Sequence, residues 1–414
     1  MPQILIPVFL DGLHAMRRGL TRLSRRVALA GLSFLAAGAA LAATGPMPPG
    51  SGGIQFACPA AQRAAIEAGM SAYLHELDIR EAWVERQRLP DDQGLVYALR
   101  LPVSERGTRG FAGSAELATG EETVTLPTAD GHARAVRTVA RKEIVLALLM
   151  RGRLTVLRDA ECDVQALRDL VGIRQNTVAW AENLELGWPD GDSAQWNGEF
   201  WNDGTPLPGH PLHEAVNDVF LQQSRYAIGC YAATKLVMMQ GILDYYHRIH
   251  PDPVALRKVE AALMRDGEPL IGVEPDRMWS FEEDFDPARN KGPGKILDID
   301  YGIPAADIVP GDWIYFLNTD KATHRKTGYE GSNAIYLGRG KFDDYYNDNN
   351  HSYTLEEKMN EVYQWRHGVF SRSRDAAKIE PLAPGDFQRL SRRPRDGGLL
   401  LDLRVSPRLA DRLG

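Results

Sequence analysis

Residues 229–250 (GCYAATKLVMMQGILDYYHRIH) constrain the fold more than any other stretch. As a helix they place apolar residues on most sides, among them Tyr231, Met238, Met239, Ile242 and Tyr245. A surface helix shows one apolar stripe, whereas a helix apolar nearly all round has to be enclosed. The rest of the chain must therefore wrap around it. Pro251 and Pro253 stop it, because a proline ring breaks the backbone hydrogen-bond ladder. At 414 residues and 44% hydrophobic, the chain has material for such a core. The net charge of −7 and the pI of about 5.9 argue against a general nucleic-acid binder, which shows a strong basic face.

The head of this helix is where chemistry is expected. Cys230 follows Gly229 and opens the helix. Free N–H groups and the macrodipole at a helix N-terminus favour a thiolate, the nucleophilic form of cysteine. The same N–H groups suit a developing oxyanion, and glycine lets the chain turn there at little steric cost. The competing reading is a buried structural cysteine.

The N-terminus has a different character. Met16–Arg26 is basic, Val27–Ala42 is an uncharged apolar run of 16, and Ala40-Leu41-Ala42 closes it with small residues. This is the pattern of a secretory signal peptide over residues 1–43. Ser24-Arg25-Arg26 admits the twin-arginine route beside the general one. The competing reading is an uncleaved membrane anchor, although 16 helical residues reach only ~24 Å against a ~30 Å hydrocarbon core. Export places the protein in the periplasm or outside the cell. In an oxidising compartment three cysteines leave one thiol over. Cys58–Cys162 is the natural pair, since Cys230 sits in a different setting; all three free is the alternative.

A Pro/Gly linker (44–53) leads to a small α+β module at 54–160. There a helix is expected over 59–86, with strands at 94–103, 122–127 and 132–158. Glu143–Leu149 and Leu154–Leu157 read as a hairpin across Arg151-Gly152-Arg153. A second domain spans 161–385. It includes a loop rich in Trp, Gly, Asn and Asp that either floors a substrate groove or anchors itself to the core. Beyond the central helix come a helix at 254–265, strands at 313–316, 332–338 and 341–346, and a helix at 356–366. Residues 386–414, rich in Arg, Asp and Pro, read as a loosely held tail.

Three segments carry a family resemblance. Ala227-Ile228-Gly229-Cys230-Tyr231-Ala232-Ala233-Thr234 is followed by Pro310-Gly311-Asp312-Trp313-Ile314-Tyr315-Phe316 and by Gly331-Ser332-Asn333-Ala334-Ile335-Tyr336-Leu337-Gly338. In sequence and order they resemble the Bacillus spore-coat protein-glutamine gamma-glutamyltransferases over roughly residues 200–350. The resemblance implies an α+β, papain-like core of the NlpC/P60 kind, with a central helix on an antiparallel sheet. It also implies crosslinking of glutamine to lysine without calcium, so no cofactor and no metal, and it puts Cys230 on the catalytic cysteine. Three positions depart from the pattern. The family's acidic residue before the cysteine is here Gly229, and its partner glutamate falls on Ser332. The family's histidine falls near Tyr345.

Serine is a poor general base near neutral pH, so another group is needed. If the strand begins early, alternation puts Glu330, Ser332 and Ala334 on one face, and Glu330 offers a carboxylate. Asp344 and Asp343 are the next candidates, with His324 and His351 in nearby loops. The leading function is an exported cysteine acyltransferase acting on glutamine carboxamides of proteins or peptides, with an amine or water as acceptor. The alternatives are a peptidoglycan amidase or endopeptidase and a catalytically inactive envelope-binding module.

Overall fold

The fold is known from a computed structural model, which describes residues 52–89, 94–100, 117, 119–150, 154–189, 192–264, 296–343, 345–347, 352–370, 376–401 and 403–413. The expected signal segment at 1–43 lies outside the described residues, as does most of the linker. In chain order the elements are β1 (Gly53–Ala57), α1 (Arg63–Glu76), β2 (Val84–Arg88), β3 (Leu95–Leu99), β4 (Glu121–Pro127), β5 (Ala133–Val139), α2 (Arg141–Leu149) and β6 (Leu154–Arg158). Then follow α3 (Val164–Ala181), β7 (Trp201–Asn202), β8 (Thr205–Pro206), α4 (Leu212–Leu221), α5 (Cys230–Asp244) and α6 (Pro253–Met264). The last are β9 (Leu297–Tyr301), β10 (Trp313–Leu317), β11 (Gly331–Gly338), β12 (Lys341–Asp343), β13 (Ser352–Thr354), α7 (Leu355–Gln364), α8 (Pro384–Leu390) and β14 (Leu403–Pro407).

The expected central helix is α5, and its residues from Ala233 to Asp244 are all buried. It packs against α3, a long helix that the sequence reading passed over. Small residues allow the close approach: a Cβ on Gly172 would meet the Tyr245 ring, and one on Gly241 would meet Thr177. Asp244 fastens the pair. Its carboxylate accepts from Asn176 Nδ2 at 3.1 Å, Trp180 Nε1 at 2.8 Å and Arg248 Nη2 at 2.6 Å.

The α3/α5 layer covers one face of a six-stranded antiparallel sheet with order β13-β12-β11-β10-β14-β9. Trp313, Tyr315, Leu317, Ile335 and Leu337 join the α3/α5 core. Ile314, Phe316, Ala334 and Tyr336 join a second core with α7 and Leu390 of α8. This is period-two alternation on a sheet with both faces covered. The Pro310-Gly311-Asp312 turn clamps the sheet to α3. Gly311 has φ +83°, and a Cβ there would press on the Arg174 backbone. Asp312 accepts from Val309 N at 2.7 Å and from Arg174 Nη1 at 2.8 Å, both side chains being buried.

A smaller sheet of order β2-β3-β1-β6 holds the N-terminal region, with β1 and β6 parallel. Cys58 and Cys162 are joined by a disulfide with Cα atoms 5.5 Å apart. One apolar cluster runs from Ile54 through α5 to Leu413. Three expectations give way. Of the helix expected over 59–86 the structure keeps Arg63–Glu76, and a strand begins at Val84. The first half of the expected 143–157 hairpin is helix α2, whose last six residues are all buried; a short apolar run looks the same as a buried strand or a buried helix. Residues 386–414 are no loose tail. They supply most of α8 as well as β14, which lies between β10 and β9 with Val405 fully buried.

Candidate functional site

Three segments fix the head of α5. Gln195 and Ala227 exchange backbone bonds of 2.7 and 3.1 Å, Gly187 N donates to Tyr226 O at 3.2 Å, and Tyr346 Oη donates to Ile228 O at 2.9 Å. The Trp-rich loop is thereby tied to the residues just before Cys230. Trp196 packs on Trp201 and Tyr226, while Trp188 packs between Tyr329 and Tyr346. The anchoring reading of that loop is met by Trp196 and Trp201, and Trp188 stands beside the segment leading into the strand that faces the cysteine.

Gly229 is the N-cap, in the extended region, with no side-chain cap. Its Cβ position is open space, so glycine is not needed there for the turn. Ala233 N donates to Gly229 O at 3.0 Å, and the N–H groups of Cys230, Tyr231 and Ala232 have no intrahelical acceptor. The Thr234 hydroxyl donates to Cys230 O at 2.7 Å and lies 3.0 Å from the Tyr345 hydroxyl. The position of the family's histidine thus holds a buried tyrosine packed one turn into α5.

The sulfur faces Asn333. Asn333 Nδ2 donates to Cys230 Sγ at 3.3 Å, and the thiol reaches the Gly331 carbonyl at 3.9 Å. Trp313 Nε1 donates to Asn333 Oδ1 at 2.9 Å. That indole bond orients the amide, since an amide oxygen accepts and only its nitrogen can donate to sulfur. Asn333 is 3% exposed. Burial pushes the Cys230 thiol up from its ordinary value. The side-chain and backbone N–H groups of Asn333 pull it down, the charge of Glu330 pushes it up, and Lys358 pulls it down.

Ser332, where the family alignment sought a partner, lies on the other face. In the β10–β11 register Ser332 sits opposite Phe316 and Asn333 opposite Tyr315. Phe316 belongs to the α7 core and Tyr315 to the α5 core. Alternation therefore turns Ser332 away from the thiol. Glu330 immediately precedes β11. It is half-buried, and burial raises its carboxyl above the ordinary range, while His324 opposes this. Its charge acts on both Cys230 and Tyr315; the Tyr315 phenol is pushed far up, first by burial and then by those two groups. His324 Nδ1 lies 3.0 Å from Glu330 O and 3.1 Å from Asn318 O, so it fixes the loop that carries Glu330. Asp343 is fully buried on β12, opposite Ser352. Asp344 and His351 lie outside the described residues.

Sequence reasoning missed Asn333. The signal was present: Asn333, Ile335 and Leu337 alternate with Ser332, Ala334 and Tyr336, and the more aliphatic set is the one that meets an apolar helix.

Among known proteins, the protein-glutamine gamma-glutamyltransferase family profile matches residues 162–367. That span runs from the disulfide-bonded Cys162 through α7 and contains Cys230, Glu330 and Asn333. No curated protein matches the sequence. One solved structure, the transglutaminase from Geobacillus stearothermophilus (without C-terminal extension), is 16% identical, with 60% of this chain and 94% of that one covered at a TM-score of 0.35. Residues 162–367 are thus of the transglutaminase type, and the chain is a protein-glutamine gamma-glutamyltransferase-like enzyme.

Proposed function

We propose that the protein is an exported acyltransferase that joins glutamine carboxamides to amines through a thioester on Cys230. The observation that carries this reading is the sulfur at the head of α5, held by a side-chain amide donor from the facing strand. A helix head set against an antiparallel strand supports a papain-like core of the NlpC/P60 kind. The basic and apolar N-terminal run, together with the Cys58–Cys162 disulfide, supports export.

The thiol is protonated at rest, because burial outweighs its donors. Glu330 takes the thiol proton as the carboxamide approaches, its own raised affinity for protons suiting it to that exchange. The thiolate attacks the carboxamide carbon, and the N–H groups of the first turn of α5 receive the developing oxyanion. The C–N bond breaks, the proton held by Glu330 goes to the departing nitrogen, and ammonia leaves. A primary amine then attacks the thioester, forming an isopeptide bond and returning Cys230 to the thiol. Water in place of the amine gives deamidation. Mature protein incubated with a glutamine-donor peptide and a fluorescent amine should label the peptide. Labelling no greater than that of Cys230→Ala refutes the transferase reading.

A further inference from the structure

Away from Cys230, a cavity of about 300 Å³ lies between the edge strand β6 and the strands β9 and β14, with α3 also lining it. Four arginines and two aspartates line it. The aspartates are already committed. Asp300 accepts from Arg404 Nε at 2.9 Å, and Asp298 accepts from Arg408 Nε at 2.8 Å and Arg412 Nη1 at 3.2 Å. Arg412 is further engaged by Glu161 at 2.6 and 2.8 Å.

Two of the guanidiniums are buried with a spare donor each. Arg174 is 2% exposed and Arg404 4% exposed. Arg174 gives Nη1 to Pro310 O and Asp312, yet its Nε is buried with no hydrogen-bond partner. Arg404 gives Nε to Asp300, yet its Nη1 is likewise buried and unpartnered. The two like charges are close enough for Arg404 to lower the proton affinity of Arg174. Unpaired buried N–H groups on a cation are costly. A planar guanidinium matches the oxygens of a carboxylate or phosphate.

We propose that this cavity binds a small oxyanion, a phosphate or a carboxylate, with Arg174 and Arg404 as its donors. The Arg404↔Asp300 and Ser406↔Asp298 register puts the Ser406 side chain on the same strand face as Arg404, so Ser406 also faces the occupant. The site is independent of the thiol chemistry and can be measured in the Cys230→Ala protein.

The test is a thermal-shift and calorimetric titration of the full chain with sodium phosphate and, separately, sodium succinate, at ionic strength held constant with sodium chloride. A ligand that binds only the folded state raises the midpoint with a saturable dependence. At least one anion should show this; a response to one alone identifies its class. Arg404→Gln removes one charged donor and should raise the half-saturating concentration about tenfold or more. Ser406→Asp leaves both arginines and adds a negative charge; it should abolish the response, and it decides the question if Arg404→Gln does not fold. No saturable response in the unsubstituted protein overturns the proposal, and so does an unchanged half-saturation in either folded variant.

Discussion

Replacing Asn333 separates the two jobs its amide does. Nδ2 gives the Cys230 sulfur a hydrogen bond at 3.3 Å, and Oδ1 accepts one from the buried Trp313 indole N–H at 2.9 Å. A bond to a charged partner contributes about 1.5–3 kcal/mol, and each unit of pKa corresponds to roughly 1.4 kcal/mol. Asn333→Ala should therefore raise the Cys230 midpoint by about 1–2 units above its already elevated value. The thiolate fraction at neutral pH falls about 10- to 100-fold, but a more basic thiolate is also more nucleophilic, with a Brønsted slope of about 0.4–0.5. The net loss in alkylation rate at pH 7 is then only about 3- to 16-fold. The informative measurement is the pH profile of iodoacetamide alkylation, not a single rate. Asn333→Ala also removes the acceptor Asn333 Oδ1 from the indole N–H, which should cost about 1–3 kcal/mol of stability. Asn333→Asp keeps an acceptor for Trp313 and gives the sulfur no donor, and at the alkaline pH where the thiol titrates it is ionised. It should match or exceed the alanine variant in midpoint shift while losing less stability. If both variants keep the unsubstituted midpoint, Asn333 does not hold the thiolate. If the aspartate variant is as unstable as the alanine variant, the Trp313 bond is not what stabilises this part of the sheet.

Two further outcomes follow from other parts of the molecule. Burial raises the Glu330 carboxyl, so the folded state holds its proton more tightly than the unfolded chain does. Its stabilising contribution is present below the unfolded pKa and lost as pH rises through the folded one. Glu330→Gln should therefore raise the thermal midpoint at pH 7 and leave it unchanged near pH 3, while lowering transamidation. A midpoint that falls at pH 7 would contradict this. The Cys58–Cys162 bond closes a loop of 104 residues, for which chain entropy gives about 4.7 kcal/mol. Cys58→Ser together with Cys162→Ser should lower the melting midpoint, and a reductant should lower the unsubstituted protein's midpoint but not the double variant's. An unsubstituted midpoint indifferent to reductant would show that the bond does not stabilise the fold.

The sequence made some elements legible and hid others for definable reasons. The helix from Cys230 showed because its apolar residues circle it and Pro251 stops it. The strands β10 and β11 showed because glycines bound them where the chain must turn or pack closely, at Gly311 and Gly331 against α3 and Tyr315. Helix α2 was hidden because a short run apolar on every side has no period to read. Strand β14 was hidden because Arg404 and Ser406 look like surface residues. In the sheet Arg404 stands opposite Asp300 and Ser406 opposite Asp298, and Arg404 Nε pairs with the aspartate across from it.

The partner of Cys230 turned on a finer point, one step along a strand. A shift of one residue in a strand exchanges the faces of all its side chains. Alignment by motif stops at the position, Ser332, where a carboxylate was expected. The fold brings its neighbour Asn333 to the sulfur and turns Ser332 toward α7. An amide cannot serve as a base, but it can hold a thiolate once formed. The proton then has to move to a group that is near the thiol without bonding it in the resting state. In the mechanism proposed above that group is Glu330, whose charge raises the thiol's proton affinity and whose own carboxyl is raised by burial. On that proposal, one group holds the thiolate and another takes its proton, so neither Gly229 nor Ser332 has to be acidic.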